Sequence, residues 1–212
     1  MQIPNQPFII GFNGPPRSGK DTLGTALADK LCQIVDIPVF TLSLAQPMRE
    51  AVMSLCSIAT REEYDEVKDL PAKLLAKSEL SQDGINTFEN YGTVREFMIR
   101  LSEDFVKPTY GRDFWARCLV DQHRSWWGKS PAVVIITDIG FEEEVTALQT
   151  LVGFGNYLGI QLDRQETSWK LDSRGYVDSV NVRRVTNDAT PEFAAERILY
   201  CIHNDPMNWN LK

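Results

Sequence analysis

The chain has no long apolar run, no paired cysteines and almost no histidine. Its unbroken hydrophobic stretches are a handful of residues long, far too short to cross a bilayer, so a membrane-embedded protein is not expected. The opening Met-Gln-Ile-Pro-Asn lacks the basic n-region that starts a secretory signal, which reads as a protein that is not exported. Four cysteines, Cys32, Cys56, Cys118 and Cys201, are widely separated, and only two histidines accompany them. This pattern excludes a zinc cluster and a disulfide framework, and each thiol is expected to be buried, reduced and cytoplasmic.

Positive charge is also in short supply. With 22 lysines and arginines against 29 acidic residues, the net charge is −7. A surface that coats a nucleic acid polymer needs many phosphate-neutralising cations, so that function class is excluded. A small anionic ligand is not, because it needs only a few arginines gathered at one site. Repeats and low-complexity tracts are missing as well, and a chain of 212 residues is expected to form one domain with an insertion.

What is present alternates between two periods. Phe8-Ile-Ile-Gly-Phe12 reads as a strand and runs into a glycine-rich turn. Thr22 to Val35 follows with helical spacing at Leu23, Leu27 and Leu31. Val39–Leu42, Ala132–Asp138, Asn156–Leu162 and Val182–Val185 read as further strands, and the β-branched run ending at Asp138 has the composition of a strand buried on both faces. Thr190 and Pro191 look like the N-cap and first position of a closing helix. Strands alternating with helices predict a doubly wound α/β sheet, a P-loop kinase-like parallel sheet flanked by helices.

Roughly ninety residues separate the second and third strands, many more than one crossover requires. A helical insertion over residues 45–129 is expected between core segments 1–44 and 130–212. Ala45–Ser57 and Arg112–Trp126 read as helices within it. Val94, Phe97, Met98, Leu101 and Phe105 form an amphipathic stripe.

Gly14-x-x-x-x-Gly19-Lys20 has the spacing of a phosphate-binding loop, with Asp21 where Ser or Thr usually stands and Thr22 after it. Glycines allow close approach, backbone N–H groups and the following helix N-terminus supply donors, and Lys20 is expected to reach the β- and γ-phosphates. The dinucleotide alternative is disfavoured, because Gly-x-Gly-x-x-Gly is missing and no acidic residue ends the second strand.

Phosphate transfer of this kind uses Mg²⁺ held by a hydroxyl and a strand-end carboxylate, and Thr22 and Asp138 are the expected pair. Capping a helix near Phe141 is the other reading of Asp138. Asp21 either complements the helix N-terminus or orients the acceptor. Arginine forks suit an acceptor phosphate, and the insertion offers Arg49, Arg95, Arg100, Arg112 and Arg117, of which Arg49 and Arg95 begin helices. Arg164 and Arg174 bracket a polar segment, about residues 163–180, that is expected to be a catalytic lid, with a solvated loop as its alternative.

At this point the motifs resemble a known family. Arg17-Ser-Gly-Lys-Asp-Thr22 resembles the loop of the bacteriophage-type deoxynucleoside monophosphate kinases, part of the nucleoside monophosphate kinase group. Leu44-Ala-Gln-Pro-Met-Arg-Glu50 is similar to that family's Ala-x-Pro-Leu-Lys/Arg-Glu stretch, and Val94-Arg-Glu-Phe-Met98 to its Arg-Glu-Leu-Leu helix start. Asp138 with Phe141-Glu-Glu-Glu144 resembles its Asp-x-Arg-Phe-x-x-Glu motif, except that Gly140 stands where the family carries Arg.

Val185-Thr-Asn-Asp188 resembles the family's closing motif beside the adenine, which brings in Asn187. The resemblance implies transfer of the γ-phosphate of ATP to a deoxynucleoside monophosphate with Mg²⁺. Gly14, Arg17, Ser18, Gly19, Lys20, Asp21, Thr22 and Asn187 would hold ATP, and Asp21, Arg49, Arg95 and Arg100 the acceptor. A kinase of another phosphorylated metabolite and a slow nucleotide switch are the alternatives. Base choice is assigned to residues 60–91, and Trp126, Trp127 and Trp209 are the candidates for a homodimer interface.

Overall fold

Every residue of β1 (Phe8–Asn13) is buried, because strands pair with it on both sides and helices cover both faces. Side chains alternate across a strand, so Phe8, Ile10 and Phe12 enter one core and Ile9 another. The first core receives Leu23, Leu27 and Leu31 from α1 (Lys20–Ile34) and Ala194, Ala195 and Ile198 from α8 (Pro191–His203). The second receives Ala116 and Leu119 from α6 (Phe114–Gln122) and Val145, Leu148 and Val152 from α7 (Glu142–Val152). Two helical layers thus sandwich the sheet.

The computed structural model describes residues 7–71, 92–123, 130–170, 172, 174–179 and 181–203. Trp126, Trp127 and Trp209, and residues 72–91 of the stretch assigned to base choice, lie outside the described residues.

Five parallel strands run in the order β2-β3-β1-β4-β5, where β2 is Val39–Leu42, β3 is Val133–Ile139, β4 is Tyr157–Asp163 and β5 is Val182–Thr186. This is the α/β sheet expected from the sequence. The interior strand β3 carries the β-branched run, whereas β2 lies at an edge and leaves Phe40 and Thr41 exposed. Thr190 caps α8 as expected, its Oγ1 accepting from the Phe193 N–H at 3.4 Å.

Among the described residues no helix is long and apolar enough to cross a membrane. The thiols depart from expectation. Cys32 is exposed and the other three are half-buried, because Cys32 falls one position past the Leu23, Leu27, Leu31 stripe of α1 and so turns off the core face.

The chain divides into two units, one of Met1–Leu44 with Ala116–Lys212 and one of Ala45–Trp115. The second contains α2 (Ala45–Leu55), α3 (Arg61–Val67) and α4 (Val94–Arg100), which share a core of Val52, Ile58, Tyr64, Val94 and Phe97, and the short α5 (Lys107–Tyr110). Between α4 and α5 the helix runs as a π-helix over Leu101–Val106. Its wider turn advances less per residue and shifts the buried face. Ser102 and Val106 are consequently buried, and Phe105, the last member of the expected stripe, is 57% exposed.

A reciprocal capping box starts α4. The Glu96 N–H donates to Thr93 Oγ1 at 3.2 Å, and the Thr93 N–H donates to Glu96 Oε2 at 2.8 Å. Replacing Thr93 with Ala should cost about 1 kcal/mol, read as a lower denaturant midpoint with an unchanged slope.

Candidate active site

Where β1 ends, the chain must turn sharply and enter α1, and the loop from Gly14 to Gly19 makes that turn. Arg17 and Gly19 both take left-handed backbone conformations, with φ of 64° and 90°. Packing restricts the glycines further. A Cβ on Gly14 would come within 2.8 Å of Ser18 Oγ, and one on Gly19 within 2.6 Å of Asn187 Nδ2. Only glycine allows the loop to close this tightly. Leu23 N–H bonds back to the Gly19 carbonyl at 2.9 Å, which leaves the earlier N–H groups of α1 at its N-terminal end without intrahelical partners.

Lys20 folds over the loop and donates to the carbonyls of Gly14 and Pro15 at 2.7 and 2.9 Å. Burial, and then the Arg174 guanidinium, push the Lys20 pKa below its ordinary value. Ser18 is fully buried, and its hydroxyl has no hydrogen-bond partner among the described residues. A buried hydroxyl without a partner is costly, unless an acceptor from outside completes it. Asn187, itself buried, donates to the Ser18 carbonyl at 2.7 Å and thereby ties the β5–α8 turn to the loop.

Asp138 near the end of β3 accepts from the Ser43 hydroxyl and the Leu44 N–H, each at 2.7 Å. Capping of α7 belongs to Glu144, whose Oε2 accepts from the Gly140 and Phe141 N–H groups at 2.8 and 3.1 Å. Asp21 and Thr22 are both exposed at the start of α1. Thr22 lines a groove with Thr25, Asp29, Pro191 and Glu192 between α1 and α8, so the structure places it toward α8, whereas Asp138 is fixed to the end of β2.

The two arginines after β4 arrive at the loop by different routes. Arg164 is exposed, and its Nη1 lies 3.6 Å from where a Gly19 Cβ would stand. Arg174 grips Asp172 through Nε and Nη2 at 2.8 and 2.6 Å. Its stem lies on Gly140, so that a Cβ there would overlap Cδ and come within 2.9 Å of Cγ. A cation therefore does stand beside position 140, supplied by a different segment.

The return half of the expected lid is fastened to the strand ends. Asn13 Nδ2 donates to the carbonyls of Ile139 and Gly175 at 2.9 and 3.0 Å, and its Oδ1 accepts from the Val177 N–H at 3.1 Å. Gln161 Nε2 donates to the Val177 carbonyl at 2.8 Å, and the Tyr176 hydroxyl to the Leu162 carbonyl at 3.0 Å. Asn13, Ser43 and Asp172 were not found from the sequence, and Glu144 appeared there only as the last residue of the family motif. A polar residue closing an apolar strand, as Asn13 does before Gly14, was the signal available for one of them.

The arginines expected to hold an acceptor belong to the helical unit. Arg49 and Arg61 both lie over the Tyr64 ring, at 5.6 and 5.7 Å from its centroid. Arg95 forms an exposed pair with Asp69 at 2.8 Å, and Arg100 is exposed in the last turn of α4.

No family model matches the chain and no curated protein matches its sequence. Solved structures do match it in fold. An APS kinase from Mycobacterium tuberculosis, in complex with AMPPNP and APS, is 12% identical with a TM-score of 0.51, over 94% of this chain and 99% of that one. The crystal structure of APE1195 is 13% identical with a TM-score of 0.52, over 97% of this chain and 99% of that one. The chain has a P-loop kinase fold. Likeness at this identity reports the fold alone.

Within this P-loop fold the Arg174–Asp172 pair has a measurable signature. Hydrogen bonds from Arg174 hold the Asp172 carboxyl below its ordinary pKa despite burial. A depressed carboxyl stabilises the folded state above its unfolded value of about 3.9, and that stabilisation is lost as pH falls through the folded value. Asp172→Asn is expected to lower stability by roughly 1–2 kcal/mol at neutral pH. The gap to wild type should close below about pH 4 in thermal melts taken across the acid range.

Proposed function

We propose that the chain is an ATP-dependent phosphotransferase whose acceptor is a deoxynucleoside monophosphate. One observation carries the reading: Lys20, Arg164 and Arg174 gather at a glycine loop whose buried Ser18 hydroxyl has no partner among the described residues. Fixed donors and a concentration of positive charge of this kind match a chain of phosphates and little else. The APS kinase of similar fold is in complex with AMPPNP, which supports a nucleoside triphosphate as the donor.

The roles follow from position. N–H groups of the loop and of the start of α1 receive the phosphate oxygens, and Ser18 and Thr22 add hydroxyls. Lys20 exchanges its bonds to the Gly14 and Pro15 carbonyls for phosphate oxygens. A bound anion offsets the repulsion between Lys20 and Arg174 and restores the Lys20 pKa. As charge spreads over the transferred group, Lys20, Arg164 and Arg174 neutralise it, and positioning does the rest. Asn187, already bonded to the loop, stands on the adenine side.

Asp138 and the Ser43 hydroxyl fit Mg²⁺, since oxygen donors including one strand-end carboxylate suit a hard cation that keeps most of its waters. When bound, Mg²⁺ supplies charge neutralisation between phosphate oxygens. Asp21 orients the acceptor, and Arg49, Arg95 and Arg100 of the helical unit clamp its phosphate. A kinase of another small phosphorylated metabolite is favoured by one detail, which is that Arg95 gives its fork to Asp69.

ADP release, measured with ATP, Mg²⁺ and each nucleoside or deoxynucleoside monophosphate in turn, tests the proposal. Release that depends on a deoxynucleoside monophosphate is the expected result; release with no acceptor in the panel sinks it. Lys20→Ala should lower turnover by at least roughly 10²–10³-fold while leaving the melting temperature close to wild type.

A further inference from the structure

Arg174 stands next to Lys20 only because a remote segment is held against the end of β1. We infer that Asn13 is a positioning residue for Arg174, and that Gly140 completes the seat by leaving room for the arginine stem. The inference rests on the phosphotransferase reading and specifies which residues outside the loop set its charge.

The carboxamide of Asn13 is buried, and each of its polar atoms is engaged. Its nitrogen bridges two carbonyls from segments far apart in sequence, Ile139 at the end of β3 and Gly175 beyond β4. Those residues are the immediate neighbours of Gly140 and Arg174. One amide group therefore fixes the separation of the two backbones whose next residues meet, and the bond from the Val177 N–H sets the direction of the second segment. Buried bonds of this kind, all satisfied, specify one arrangement against many near-equivalent ones.

The contact they fix is close. Any side chain on residue 140 would displace the Arg174 stem, as the overlap of a Gly140 Cβ with Cδ demonstrates. Asp172 then holds the far end, taking both Nε and Nη2 of the guanidinium and the Arg174 N–H as well. Amide, glycine and carboxylate leave the arginine little freedom. Its charge couples to Lys20 in the loop and to Asp138 and Glu144 beyond it. Pre-organised charge is more effective than charge that must reorganise on binding.

If Asn13 acts through Arg174, removing it should matter only while Arg174 is present. The experiment is a double-mutant cycle on the full chain, with AMPPNP affinity measured by calorimetry and turnover measured with the best acceptor. Arg174→Ala, Asn13→Ala and Gly140→Ala should each lower turnover about 10-fold or more. In the Arg174→Ala background, Asn13→Ala should then change turnover by less than about twofold while still lowering the melting temperature. A full additional loss in that background would overturn the inference, because it would make Asn13 an ordinary structural amide.

Wild type that fails to bind AMPPNP would instead overturn the phosphate reading. The seat is then judged by hydrogen exchange of the Val177 amide and the Arg174 Nε proton. Slow exchange in wild type that becomes fast in Asn13→Ala supports it, and equal exchange in the two refutes it.

Discussion

A parallel sheet leaves its backbone unpaired where the strands stop, and every strand of this one stops at the same edge. Carbonyls and N–H groups there must find partners or remain exposed to water. In this chain side chains complete the edge: Asn13 for β3 and the 175–177 segment, Gln161 for the segment after β4, Tyr176 for the Leu162 carbonyl of β4 itself, Asn187 for the loop and Glu144 for the start of α7. The same bonds that satisfy the edge hold the loop and the segment that carries Arg174. Folding and the construction of the site are one process, and the edge is the constraint that couples them.

The charges follow a similar logic. Lys20 and Arg174 would repel one another in a partly buried space, and the lowered Lys20 pKa records that repulsion together with burial. Asp172 and Asp138 offset it without neutralising both cations directly. Lys20 bonds to carbonyls of its own loop, which are weaker partners than a carboxylate or a phosphate. On the proposed function, an arriving polyphosphate would meet a cation that is already in place and held only by two carbonyls.

The parts of this arrangement that were legible in the sequence are those encoded over short spans. The glycine spacing from Gly14 to Gly19 announced the tight turn between β1 and α1, and the sheet was readable from β-branched runs interrupted by helical periodicity. What could not be read depends on pairs far apart in the chain. Gly140 looked like a missing cation when set against the family motif, but the cation comes from Arg174, and only the fold brings the two residues together. The stripe ending at Phe105 failed for a local reason, since a fixed helical period cannot anticipate the π-helix that turns Val106 inward instead. Cys32 was misread because an apolar neighbourhood in sequence is not the same as a position on the buried face.

On the proposed function, the edge of the sheet from Gly14 to Thr22 seats the phosphates of a nucleotide. Backbone amide shifts followed by NMR during titration with Mg²⁺ and AMPPNP test it most directly. The account predicts saturable changes concentrated at residues 14–22 and at Asn187. Saturable changes centred on another surface, or no saturable change in the loop, would contradict it.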